Sequence, residues 1–96
     1  MRLSLYGDVD RDSAGAVADR VRECLRHRPR NLVVDLSALS FLDAAGVRTF
    51  LEGRRRAGER HIPFRVVGAR GIVQRVLEIT GVSGLLHPSV RGLRQF

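Results

Sequence analysis

Apolar residues follow two alternating rhythms along the chain, and that alternation predicts the order of the elements. Leu3 and Leu5 flank Ser4 at strand spacing, and Gly7 is expected to end this strand. Ala14, Val17, Val21, Cys24 and Leu25 then recur at i, i+3 and i+4, which predicts a helix capped by Asp12 or Ser13 and closed by Pro29. Leu32-Val33-Val34-Asp35-Leu36 is a short, nearly continuous apolar run, the pattern of a central strand covered on both faces by helices. Asp43 stands directly before Ala44-Ala45-Gly46-Val47, where its carboxylate can accept backbone N–H groups at a helix start. Val47, Phe50 and Leu51 supply the buried face of this second helix, and Gly58 is expected as its left-handed stop. Phe64 to Val67 reads as a strand, and Gly68 and Gly71 bracket a turn into a third helix carrying Ile72, Val73, Val76, Leu77 and Thr80, with Gly81 ending it. A short strand near Leu85-Leu86 and a weak final helix or tail from Pro88 complete the pattern. The expected fold class is α/β: a single domain over residues 1–96, ordered β-α-β-α-β-α-β-α, with a mostly parallel sheet of about four strands packed by three to four helices.

Composition narrows the class without changing this picture. The 44% apolar and 28% charged residues are those of a globular chain, so disorder and fibrous classes are excluded. No stretch nears the roughly 18 apolar residues of a membrane span, and no membrane insertion is expected. Cys24, the single cysteine, cannot pair within the chain and lies on the apolar helical stripe, in keeping with a reducing, cytoplasmic setting. The net charge of +7 comes entirely from arginine, which suits phosphate or carboxylate partners. The arginines are scattered, however, and only Arg54-Arg55-Arg56 forms a run, so the pattern reads as solvated helix surface. With few aromatics outside apolar segments to stack bases, nucleic acid is disfavoured as a partner.

Candidate chemistry is sparse. Asp8, Asp10 and Asp12 imitate the start of a calcium loop, with Asp19 at the twelfth position, but Ser13 occupies the place that needs glycine, so a polar turn with a capping carboxylate is expected and no metal site. His27, His61 and His87 have no ligand spacing, and Ser13, Ser37, Ser40, Ser83 and Ser89 show no nucleophile pattern. Gly68-Ala69-Arg70-Gly71 is compatible with a phosphate cradle and equally with an ordinary turn. No catalytic constellation emerges; the chain is expected not to be an enzyme and to need no cofactor.

The segment from Leu32 to Val47, LVVDLSALSFLDAAGV, closely resembles the signature of the anti-sigma-factor antagonist family, also called the STAS domain. Gly7-Asp8-Val9-Asp10 resembles the family's Gly-Glu-Leu-Asp turn, and Val76 to Val82 resembles its late helix-ending segment, so the likeness runs from about Leu3 to His87. The resemblance implies a protein that binds an anti-sigma factor, commonly a serine kinase, and is switched off when the hydroxyl after the motif's Asp is phosphorylated. Here that position is Ala44, which has no oxygen to modify; Ser40 and Thr49 are nearby but do not match it.

The resemblance implies a docking surface made of Asp8, Asp10, Asp12 and Ser13 in the first turn, Asp43, Ala44, Ala45, Gly46 and Arg48 at the second helix start, and Gly68 and Arg70 in the third turn. All three follow strand ends, which in an open α/β sheet converge on one side. Asp43 is expected to organise the helix start, with Gly46 permitting close backbone packing. Two roles follow from an alanine at the switch position: a permanently active antagonist, or a scaffold subunit of a transporter or stress-signalling complex. Relatives commonly carry a strand before the one at Leu3 to Tyr6, so an unpaired edge and a homodimer are further expectations.

Overall fold

Three β-α units follow one another in the computed structural model, which describes residues 1–80: β1 (Arg2–Val9), α1 (Ala14–Arg26), β2 (Leu32–Leu42), α2 (Ala44–Glu59), β3 (Phe64–Val67) and α3 (Gly71–Ile79). The strands form one parallel sheet in the order β1-β2-β3. The expected stop at Gly81, the strand near Leu85-Leu86 and the segment from Pro88 lie outside the described residues, as do Val82, Ser83, His87 and Ser89.

Because successive strands are laid down in one direction, right-handed crossovers place their helices on the same face. Burial agrees with this. Leu3, Leu5, Val9, Leu32, Val34, Leu36, Leu39, Leu42, Phe64 and Val66 point into a core shared with Val17, Val21 and Leu25 of α1, Val47, Phe50 and Ala57 of α2, and Val73 and Leu77 of α3. Cys24 packs against its margin. On the opposite face Arg2, Ser4, Tyr6 and Arg65 are exposed, and Val33, Asp35 and Val67 are half-buried. Among the described residues β2 is therefore covered on one face, not both. Its apolar run is continuous because Val33 sits between neighbours on a partly shielded face, not because a second helical layer lies over it.

Gly7 does not end β1, and β2 does not stop at Leu36. The two strands stay paired from Arg2↔Val33 to Val9↔Leu42, with register shifts between Ser4 and Tyr6 and between Gly7 and Asp8. Seven steps of β1 face nine of β2, so each shift inserts one extra residue into β2. Strand alternation at Leu32, Val34 and Leu36 thus becomes a spacing of three at Leu39 and Leu42, a pattern that hides a strand from a search for period two. Gly7, at φ 73°, adopts the left-handed backbone that lets β1 follow the second shift.

Gly58 is not the stop of α2. The helix passes through it to Glu59, and His61 takes the left-handed conformation at φ 60°. The N–H of His61 donates to the Gly58 carbonyl at 3.1 Å and that of Ile62 to the Ala57 carbonyl at 2.9 Å, a Schellman closure. Burial of Ile62 against the core accompanies it, which favours the turn three residues later than glycine alone suggests.

Candidate functional site

Two turns at the carboxyl ends of β1 and β2 form a single structure. In the first, the Asp10 carboxylate accepts from the N–H of Asp12 at 3.0 Å and of Ser13 at 3.1 Å, and the Ser13 hydroxyl donates to the Asp8 carbonyl at 3.0 Å. Asp10 therefore satisfies the N–H groups of Asp12 and Ser13, while the Ser13 hydroxyl accepts from the Asp10 N–H at 3.0 Å. In the second, Asp43 is the N-cap of α2: its Oδ1 accepts from Gly46 N–H at 3.1 Å. Its Oδ2 accepts from the N–H of Arg11 at 3.2 Å, and its own N–H donates to the Val9 carbonyl at 3.2 Å. One carboxylate thus caps a helix and ties the neighbouring loop to it.

Gly46 completes the joint. A Cβ there would lie 2.4 Å from Leu42 Cδ1 and 2.9 Å from the Val9 carbonyl oxygen, so only glycine lets α2 start this close to both strands. Gly46 is buried and offers no surface of its own. As a docking contact it is corrected to a packing residue.

The remaining site residues sort by position. Ala44 is exposed at the first position of α2, Ala45 is half-buried beside it, and Arg48 is exposed one turn on. Asp12 is exposed in the first turn, whereas Asp8 projects from β1 itself, opposite Phe41, because the strand runs past Gly7. Gly68 and Arg70 stand apart. β3 pairs with β2 only as far as Val67↔Asp35, seven residues before Leu42, so the third turn lies on the order of 20 Å of strand short of Asp43. Two of the three expected turns converge, and the third does not. Arg70 instead donates to the Ser37 carbonyl at 3.1 Å, and Gly68, at φ 79°, passes so close that a Cβ would sit 2.7 Å from Asp35 Oδ1.

Asp35 is the centre of that third region. It accepts from the Ser37 hydroxyl at 2.6 Å, from the Ser37 N–H at 2.9 Å and from Arg2 at 2.8 Å. The hydroxyl bond first, then the backbone bond and the Arg2 charge, hold its carboxyl below the usual aspartate range. These contacts bind strand to strand and to the turn.

Sequence reasoning missed a furrow between α1 and α2. Its upper half is an open concavity of about 590 Å³ lined by Ala14, Gly15 and Ala18 on one side and Ala45, Arg48, Thr49, Leu51, Glu52 and Arg55 on the other. Leu51, expected on the buried face, is 37% exposed and forms part of this wall. The available signal was the run of small residues Ala14, Gly15 and Ala18 on the helix facing α2. At the middle, Gly53 admits Val21 and the Phe64 ring, where a Cβ would lie 3.0 Å and 3.3 Å from them. Among the described residues no three His, Cys, Asp or Glu side chains cluster as metal ligands, and no helix is long and apolar enough to cross a membrane. The upper furrow sets small side chains of α1 against Leu51 and the charged Arg48, Glu52 and Arg55 of α2.

Residues 1–88 match the family model described as Mlab, STAS domain. The anti-sigma-F factor antagonist RsfB of Mycobacterium tuberculosis is 28% identical over 98 residues, an alignment covering 96% of this chain and 80% of that protein. The crystal structure of an anti-sigma factor antagonist from Mycobacterium paratuberculosis superposes with a TM-score of 0.79 at 29% identity, over 95% of this chain and 79% of that one. The anti-sigma factor antagonist SpoIIAA in its unphosphorylated form shares the fold, with a TM-score of 0.65 at 15% identity over 81% and 72% of the two chains.

Proposed function

The chain belongs to the STAS domain family, and from that premise we propose that it is an anti-sigma-factor antagonist that acts by docking alone, with no catalysis of its own and no phosphorylation switch at its docking tip. The observation that carries this reading is Ala44, an exposed methyl at the first position of α2, held out by the Asp43 cap. A phosphate on this residue would place about −1.5 to −2 charges at a helix N-terminus in the middle of the contact surface. Alanine cannot accept one. Thr49 does not occupy the matching position, and its hydroxyl donates to the Ala45 carbonyl one turn earlier at 3.0 Å.

The docking face comprises the first turn with Asp10, Asp12 and Ser13, the α2 start with Asp43, Ala44, Ala45 and Arg48, and the small-residue furrow beside them. The partner is an anti-sigma factor of the kinase type, met in the cytoplasm. The test uses that purified anti-sigma factor with ATP. The wild-type chain is expected to bind it and to keep its mass, whereas Ala44→Ser gains about 80 Da, the mass of one phosphate. Ala44→Glu is expected to weaken binding at least about tenfold by burying an unpaired charge at the contact. Phosphate on any serine or threonine of the wild-type chain refutes the unswitched reading, and undiminished binding by Ala44→Glu removes this surface from the interface.

A further inference from the structure

The lower half of the α1–α2 furrow carries four arginines where the upper carries two. It is a half-open hollow of about 410 Å³ lined by Arg22 and Arg26 from α1 and Arg56 and Arg60 from the end of α2, with Asp19, Glu23 and Leu25 between them. It begins about 18 Å along the α2 axis from Ala44, twelve residues at 1.5 Å each. The wider charge distribution has the same bias. Residues 19–30 and 52–65 hold ten arginines and four carboxylates, whereas the other described segments hold five arginines and six carboxylates. Compensation of the helix dipoles accounts for a basic residue in the last turn of each helix, Arg26 and Arg56, but not for four guanidinium groups around one cavity.

We propose that this arginine-lined cavity is a binding site for a small oligophosphate, an anion of linked phosphate groups held by Arg22, Arg26, Arg56 and Arg60. Guanidinium forks match phosphate oxygens two at a time, which the ammonium of lysine cannot do, and the chain uses no lysine at all. The present partners of these arginines are weak competitors. Arg22 pairs with Asp19 and Arg26 with Glu23 one turn away on the same helix, all with exposed side chains, where such pairs contribute little. Arg56 is underused: its Nε is buried and, although 3.2 Å from Glu52 Oε2, has no hydrogen-bond partner among the described residues. The volume suits a compact ligand, and the cavity is recessed between helices, whereas the phosphodiester backbone of a duplex meets open surface. None of the lining side chains is aromatic, so the phosphates, not an attached base, are what it recognises.

Titration with tripolyphosphate at about 150 mM salt, followed by calorimetry and backbone amide shifts, tests the site. One saturable site is expected, with shifts confined to the second half of α1 and the end of α2. Arg56→Gln and, separately, Arg22→Gln with Arg26→Gln are each expected to weaken it at least about tenfold, while Arg75→Gln on α3 leaves it unchanged. Thermal melts confirm that each variant folds. ATP is expected to bind within about threefold of tripolyphosphate because no base contact is available. The proposal fails if tripolyphosphate does not saturate, if Arg75→Gln weakens it equally, or if ATP binds and tripolyphosphate does not. It also fails if a short DNA duplex binds and tripolyphosphate cannot displace it, which identifies an extended polyanion surface instead. Binding of the anti-sigma factor is not part of this readout, so either reading can fail alone.

Discussion

The two halves of the α1–α2 furrow are built by the same pair of helices and serve opposite physical ends. The upper half has small residues on its α1 wall, and its mouth is bound into the fold: Asp43 caps α2 and holds the Arg11 loop, and Gly46 lets the helix start against Val9 and Leu42. The lower half is made of long, charged side chains whose contacts lie on their own helices. The difference teaches that in this domain the docking end is also a structural joint, whereas the arginine end is free of folding duty. Substitutions should therefore cost stability at one end and leave it intact at the other.

The largest break in this comparison is expected from Gly46→Ala. The added methyl collides with the Val9 carbonyl oxygen as well as with the Leu42 side chain, and over-packing of this kind costs about 3 kcal/mol, read as a lower urea midpoint with unchanged slope. Asp43→Ala follows, at about 1.5 kcal/mol, because it removes a side-chain cap and leaves the Arg11 N–H without its acceptor. Binding to the anti-sigma factor should weaken with it. In the opposite sense, Gly15→Ala is expected to stabilise α1 by about 0.5 kcal/mol, since a Cβ there meets nothing within 4 Å; it also adds a methyl to the wall of the upper furrow. A gain in thermal midpoint with a loss of partner affinity would separate the two duties of this end. At the lower end, Arg22→Gln with Arg26→Gln should leave the urea midpoint unmoved; a clear fall would show that the arginine half also holds the fold together.

The smallest effect concerns acid. Asp35 is held below its usual range by Ser37 and Arg2, so its contribution is fully present above the unfolded value, near pH 3.9, and is lost as pH falls through the lower folded value. Urea midpoints of wild type and Asp35→Asn should differ above about pH 4 and converge below it. Curves that stay apart in strong acid would assign the difference to lost hydrogen-bond geometry rather than to charge.

Most of the framework was legible in the residues. The alternation of strand and helix rhythms gave the order of the elements, since burial of one helix face or one sheet face leaves a period in the chain. Asp43 was legible as a cap because capping acts over three residues, and the missing hydroxyl at Ala44 because it is a matter of residue identity. The strand ends were not legible. Gly7 and Gly58 carry the usual stop signals, yet a two-residue excess in β2 and the burial of Ile62 override them. The arginine cavity was hidden for the same reason: Arg22 and Arg26 are separated from Arg56 and Arg60 by a whole strand in the sequence.

The sequence by itself determined what each short segment does: which residues turn inward, which acid starts α2, and which position cannot be phosphorylated. Only the tertiary structure decided which segments meet, namely that the first two turns share Asp43 while the Gly68 turn stops short, and that the small residues of α1 line one end of a furrow and four arginines the other. The physical reason is range. Capping, helical spacing and side-chain chemistry act over three or four residues, whereas strand register and helix packing are settled by partners tens of residues away.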